Sequence, residues 1–482
     1  MRHNNCSCDF GASERYSTRR EFLKRSGAGF GMLGLAGLLQ HAGMLDAAAE
    51  GPFAPKLGHL PGKAKSCIFL FMYGGPSGFD LFDYKPELDK NHGKTFDWKG
   101  PVVTFGNNPG PLMKSPYAFK QYGESGAWVS EKFPAVAQCV DDIAFIKSCK
   151  ADSNNHAPAL FQMNTGFTRV GFPSMGAWLT YGLGTENQDL PGYVVMYDPR
   201  GGPIGGPQNW GAGFLPSAYQ ATPFRSTGNP ILNLQQARGL SKEQQRGELD
   251  LLAELNAAHA SANPGEGDLL ARIESFELAY RMQMEAPETV DLKQEPEHIH
   301  KLYGLDNETT KYFGTQCLIA RRLVERGVRF VQLYSGGGHQ QESWDAHNGL
   351  VENHDMHCAE TDVPIAGLLH DLKQRGLLDE TLVVWGGEFG RMPMSQGGVG
   401  RDHNPEGFLM WMAGGGIKGG VNYGETDEVG YKAEVDPVSI NDLHATILNR
   451  MGIEHTKLTY HHNGRDFRLT DVAGNPLTKI FV

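Results

Sequence analysis

At 482 residues and 40% hydrophobic content, the chain can bury a large core and exceeds the simplest single-core domain. Its formal charge is −11, with no long basic run after the N-terminus. That excludes nucleic acid as a partner, because phosphate binding needs clustered Lys and Arg. The 62 glycines are not periodic, which excludes collagen-like and repeat architectures.

The first element in chain order is an address. Ser17-Thr18-Arg19-Arg20-Glu21-Phe22-Leu23-Lys24 is a paired-arginine motif, followed by a weakly apolar, Gly-rich stretch over 27–39 and by the small residues Ala47-Ala48-Ala49. Charged, apolar and small-residue regions stand in the order of a twin-arginine signal. Residues 1–49 are expected to be that signal and leader. The rest is expected to cross folded through the twin-arginine export machinery, to the periplasm or another extracytoplasmic space. An uncleaved leader would tether it to the membrane. No segment beyond the leader has the ~18 or more continuous apolar residues of a membrane span. Cys67, Cys139, Cys149, Cys317 and Cys358 are widely and irregularly spaced, which argues against a dense disulfide framework.

Strands then alternate with helices. The apolar runs 68–73 and 143–146 suit strands covered on both faces. Residues 317–325 predict a helix, with Gly327 at its C-terminal glycine position. Residues 328–334 alternate like a strand. Ile365, Leu368, Leu369 and Leu372 mark an amphipathic helix that Arg375-Gly376 closes. Strands follow at 381–385 and 408–412. The pattern predicts an α/β fold with a mainly parallel central sheet flanked by helices. Within the domain at 50–482, residues 199–240 are rich in Gly, Pro, Asn and Gln, and 241–300 read as helical and charged. The stretch 199–300 is an insertion or cap, or else part of the helical layer.

Ligands of open α/β sheets bind beyond the carboxyl ends of the strands. Ser77 and Asp80 follow the first strand, and Ser153, Asn154, Asn155 and His156 follow the second. His339, Asp345, His347, His354 and His357 follow the third, and Glu388 and Arg391 the fourth. Arg401, Asp402 and His403 precede the last. Imidazoles and carboxylates converging from separate loops are the donors a divalent metal needs. Asp345, His347, Glu388 and His403 are the expected ligands, whereas His354 and His357 read as solvated histidines nearby. Ser77 lies within Gly-Gly-Pro-Ser-Gly, where a turn residue is expected.

Several stretches carry a resemblance. They are Gly74-Gly75-Pro76-Ser77 through Asp80, Ser174-Met175-Gly176-Ala177-Trp178, Trp344-Asp345-Ala346-His347, Gly387-Glu388-Phe389-Gly390-Arg391-Met392-Pro393 and Gly400-Arg401-Asp402-His403. Gly464-Arg465-Asp466-Phe467 and Asp442-Leu443-His444-Ala445-Thr446, running into Gly452, complete them. The chain resembles a family of uncharacterised exported, sulfatase-like proteins of the alkaline-phosphatase-like superfamily. That resemblance implies an alkaline-phosphatase-like, sulfatase-like sandwich fold. It implies a site with one or two divalent metals (Zn, Ca, Mn or Mg) that hydrolyses sulfate or phosphate esters. The substrate would be a small anionic ester or a sulfated carbohydrate. Asp345 and His347 resemble the mid-chain ligands and His403 the distal one, while Glu388 stands where an Asp is usual.

The departures from the family pattern are specific. The first strand ends at Gly74-Gly75 instead of a ligand Asp, so either Asp80 reaches back as the metal ligand or that ligand is lost. Glu388-Phe389 replaces an Asp-His pair. His156-Ala157-Pro158, followed by Thr165-Gly166, stands where sulfatases carry their cysteine. His156 is then a metal ligand, nucleophile or base, or Ser77 or Ser153 supplies the hydroxyl. Arg391 and Arg401 clamp the anionic ester or hold loop carboxylates. The alternative function is a non-catalytic binding or envelope scaffold protein with a decayed site.

Overall fold

The computed structural model describes residues 53–96, 98, 100–105, 109–225, 228, 230–231, 241–262 and 267–482. The leader motif lies outside the described residues. The chain forms one large sheet from β1 (Ser66–Met72), β4 (Ile143–Lys150), β5 (Tyr193–Met196), β6 (Thr222–Phe224), β7 (Phe330–Ser335), β8 (Thr381–Gly386), β11 (Phe408–Ala413), β12 (Val421–Tyr423) and β15 (Val438–Ser439). Antiparallel pairs stand outside it: β2–β3 (Phe119–Tyr122, Ala127–Ser130), β9–β10 (Gly390–Gln396, Gly400–Asn404) and β13–β14 (Glu425–Thr426, Ala433–Val435). The sheet order is β12-β4-β11-β8-β1-β7-β5-β6, with β15 also on β4.

Strand β1 is parallel to β7 and β8, and β5 is parallel to β7 and β6. Strand β11 alone runs against its neighbours β4 and β8. The expected α/β architecture with a mainly parallel sheet is therefore the one that forms. Its antiparallel β11 has a consequence for the site. Because β11 opposes both β4 and β8, those two strands point the same way as β1 and β7. The ends of β1, β4, β7 and β8 and the start of β11 share one sheet edge.

The continuous apolarity of β1 has a simple cause. Ile68, Leu70 and Met72 enter one core cluster, while Cys67, Phe69 and Phe71 enter another on the opposite face. Helices cover both faces, so no position needs to be polar. On the second face lie α1 (His156–Thr165), through Leu160 and Met163, and α2 (Met175–Leu183), through Trp178 and Leu179. The segment 199–300 contributes edge strand β6 and the helices α3 (Lys242–Ala262) and α4 (Gly267–Val290). Met282 and Ala286 of α4 are buried in the first cluster. That cluster also takes Phe313, Cys317 and Leu323 from α5 (Lys311–Glu325). From α6 (Leu350–Gln374) it takes Ile365, Leu368, Leu369 and Leu372. The heptad-like spacing of those four residues put them on one face. Helix α7 (Ile440–Arg450) opens with a capping box made by Ser439 and Asp442.

All five described cysteines are free and buried. No described helix is long and apolar enough to cross a membrane.

Candidate metal centre

Two loop segments and one hairpin deliver the four side chains to the shared edge. Asn155 caps α1, its side-chain oxygen accepting the Ala157 N–H, and places His156 on the first turn. The loop after β7 brings Asp345 and His347. Strand β10 brings His403, beside a register shift between Arg401 and His403. His156, Asp345, His347 and His403 offer ligand atoms that all lie within 4.8 Å of one another.

The hydrogen bonds behind the imidazoles determine what faces inward. His403 Nδ1 lies 2.6 Å from the Asn154 carbonyl oxygen, and His347 Nδ1 lies 2.5 Å from Gln396 Oε1. His156 Nδ1 lies 2.6 Å from Glu388 Oε1. Each acceptor requires a proton on Nδ1, which leaves the Nε2 lone pair of a neutral ring pointing into the group. His347 Nε2 and His403 Nε2 then face each other at 2.8 Å, each 3.1 Å from Asp345 Oδ1. His156 Nε2 is buried, makes no hydrogen bond and lies 3.4 Å from Asp345 Oδ2. Bare lone pairs and a carboxylate repel at these distances unless a proton or a cation lies among them. Burial pushes the pKa of His403 down to about 3 against the raising effect of Asp345, which disfavours the proton there. The donor set fits a divalent cation of the N/O-binding kind.

Burial also opposes the charge on Asp345, but Arg391 and the three imidazoles hold its carboxyl far below the usual range. It is therefore an anion at every ordinary pH. Burial likewise opposes protonation of His156, yet Asp345 and Glu388 outweigh it and raise the pKa to about 8. The sign of the consequence is clear. A ligand imidazole must be neutral, so below about pH 8 the metal displaces a proton from His156. Apparent metal affinity is expected to fall about tenfold for each pH unit from 8 towards 6, and to level off above. Chelator competition at stepped pH checks this, and a flat profile contradicts it.

Glu388 does not join the group directly. It is fully buried, orients His156, and accepts the Gly74 N–H at 3.1 Å. Gly74 has no room for a side chain. Its φ is +113°, and a Cβ there would stand 2.6 Å from the backbone nitrogens of Trp344 and Asp345. A side chain would displace the loop that carries Asp345.

Asp80 is not brought into the group either. Both its oxygens pair with Arg401, at 2.7 and 3.1 Å, and Ser77 Oγ donates to it at 2.5 Å. Ser77 is fully buried and its N–H donates to His354 Nε2, so it is held as a turn residue. His354 and His357 are themselves buried, contrary to the expectation of solvated histidines. Their α6 face packs on Trp344. Arg391 is buried and donates to Asp345 Oδ1 at 2.7 Å and to the Gly75 carbonyl at 2.9 Å. Arg391 and Arg401 both hold loop carboxylates.

Aromatic rings wall the imidazoles. Phe389 lies 4.5 Å from the His403 ring and 4.9 Å from the His156 ring, and Tyr73 packs edge-on against His156. The outlets are at His347 and His156, whose side chains are 17% and 12% exposed, against 1% for His403. Gln396, the Asn154 carbonyl and Phe105 were not foreseen as site groups. Gln396 ends a strand that the apolar pattern does not mark.

Among curated proteins, no relative matches the sequence. Solved structures give loose superpositions. The alkaline phosphatase of the Antarctic bacterium TAB5 is 11% identical, with 81% of this chain and 98% of that one covered and a TM-score of 0.35. The PsFucS1 sulfatase of Pseudoalteromonas sp. is 11% identical, with 88% and 70% covered and a TM-score of 0.32. The lipoteichoic acid synthase LtaP of Listeria monocytogenes is 10% identical, with 83% and 76% covered and a TM-score of 0.32. A family model matches residues 64–481, nearly the whole described domain, and the chain belongs to that family, DUF1501, described as a protein of unknown function.

Proposed function

We propose that this protein is a metal-dependent hydrolase of sulfate or phosphate esters that works outside the cytoplasm after twin-arginine export. The observation that carries the reading is the inward turn of three imidazole Nε2 atoms around one carboxylate, each ring backed by its own oxygen acceptor. His156, Asp345, His347 and His403 would hold the ion, with Glu388, Gln396 and the Asn154 carbonyl fixing the tautomers. When bound, a divalent ion supplies Lewis acidity to an ester oxygen.

The chain's own residues prepare the site. Arg391 holds Asp345, and Phe389 and Tyr73 pack against the rings of His403 and His156. Ser77 is committed to Asp80, the Ser153 hydroxyl is engaged with the Asn155 backbone, and position 156 holds neither Cys nor Ser. Water is therefore the attacking group we assign. Its oxygen bonds to sulfur or phosphorus as the bond to the ester oxygen breaks, and the proton that the water loses passes to the departing alkoxide. The substrate class is a small anionic ester or a sulfated carbohydrate.

The test is turnover of 4-nitrophenyl sulfate and 4-nitrophenyl phosphate by protein loaded in turn with Zn, Mn, Mg and Ca. Turnover that chelator removes and His347→Ala lacks is expected. Tight metal and anion binding without turnover of either ester would replace hydrolysis with the binding-protein reading.

A further inference from the structure

Phe105 is more than half exposed, at 54%, yet its ring packs against two imidazoles of the candidate metal centre. Its centroid is 4.9 Å from that of His403 and 6.1 Å from that of His347, tilted by 37° and 34°. A single exposed Phe needs no explanation by itself. The attachment of this one does. The Phe105 N–H donates to Asp402 Oδ2 at 2.9 Å, and the Asn154 amide donates to the Thr104 carbonyl at 3.0 Å. Asp402 precedes the ligand His403, and the Asn154 carbonyl is the group that orients His403. The residues that set the centre's geometry thus also set the position of the ring. An apolar face is held at the mouth of the site, beside the more exposed ligand His347.

Burial does not account for this placement, because the residue as a whole stays more than half exposed. Phe389 also packs on His403, from a fully buried position, whereas Phe105 reaches the same ring from an exposed one. A pre-positioned aromatic face next to an anion-seeking centre suits a ligand with two parts, an anionic head and a ring that stacks.

We infer that Phe105 is a specificity-determining platform that stacks on a ring, planar aryl or the C–H face of a sugar, carried by the departing group of the ester. This rests on the proposed function only in requiring that anions bind at the metal centre. The substrate class narrows accordingly, from any small ester to one with a ring close to the ester oxygen.

Equilibrium binding to the metal-loaded full chain tests it with three probes: phenylphosphonate, glucose 6-phosphate and methylphosphonate. The wild type is expected to bind at least one ring-bearing probe about tenfold more tightly than methylphosphonate. Whether the aryl or the sugar probe gains identifies the kind of ring. Phe105→Ala should lose that preference while metal affinity and methylphosphonate binding stay within about twofold, and Phe105→Tyr should keep it. Equal binding of all three probes by the wild type overturns the platform and leaves the anion site standing. So does a preference that survives Phe105→Ala. If no probe binds the loaded protein, both the platform and the hydrolase reading fall. If Phe105→Ala weakens metal binding as much as ligand binding, the ring is merely a cover for the imidazoles.

Discussion

Asp345→Ala is expected to weaken divalent-metal binding by more than about 100-fold and to destabilise the metal-free protein by about 3–5 kcal/mol. The two effects come from the two sides of one carboxylate. On the inner side Asp345 supplies the only negative charge in the four-residue group and lies within 3.4 Å of all three inward-facing Nε2 atoms. Its loss removes a ligand, so the drop should exceed the 10–100-fold typical of outer partners. On the other side Arg391, buried to 1% exposure, keeps its carbonyl contacts but loses its carboxylate. Breaking one half of a buried pair leaves an uncompensated charge, which costs more than the pair itself contributes. Asp345→Asn keeps the shape and separates the effects. It should retain folding better than the Ala variant while still losing most of the metal. Chemical denaturation with chelator present and titration against a chelating dye measure the two quantities. Retention of wild-type affinity by a folded Asp345→Ala would remove Asp345 from the site.

Asp80→Ala is expected to show the opposite combination. Asp80 and Arg401 are both fully buried, and the Arg401 Nε donates to Asp80 Oδ2 at 2.7 Å. The same guanidinium reaches the carbonyls of Met392, Pro393 and Met113, so the pair ties the turn after β1 to the β9–β10 hairpin. Removing the carboxylate should cost about 3–5 kcal/mol, as much in chelator as with metal. Metal affinity of the folded fraction should stay within about threefold, because outer partners that touch ligands cost more than this when lost. A loss beyond about 100-fold with little change in stability would make Asp80 a ligand, as the sequence reading had it.

The two residues differ in how far sequence could carry the argument. Asp345 and His347 were legible as candidates because metal-binding residue types follow a strand of the shared carboxyl edge, and His403 because it precedes the last strand. That edge follows from β1, β7 and β8, whose apolar runs are legible because helices cover both sides. Strand β11 was legible as a strand but not as an antiparallel one, since apolar runs carry no direction. Strand β9 was missed because Gly390–Gln396 contains Arg391 and Pro393 and lacks clean alternation. With the hairpin went Gln396 and its role behind His347. Glu388 was legible as a site residue, but the ring of His156 stands between it and the centre, and spacing cannot show that. Asp80 was a candidate ligand because it follows the first strand, where the resemblance implies an Asp; its partner Arg401 lies 321 positions away, and nothing local signals that pairing. His156 came from the motif resemblance with its role left open. Its unpartnered Nε2 and its bond to Glu388 are visible only in three dimensions.

The most direct measurement is the divalent-metal content of the folded protein, by elemental analysis after loading and desalting, beside His403→Ala. The account predicts one equivalent in the wild type for the one such group among the described residues, and essentially none in the variant. A folded wild type that retains no ion after loading with any of Zn, Mn, Mg or Ca would contradict it.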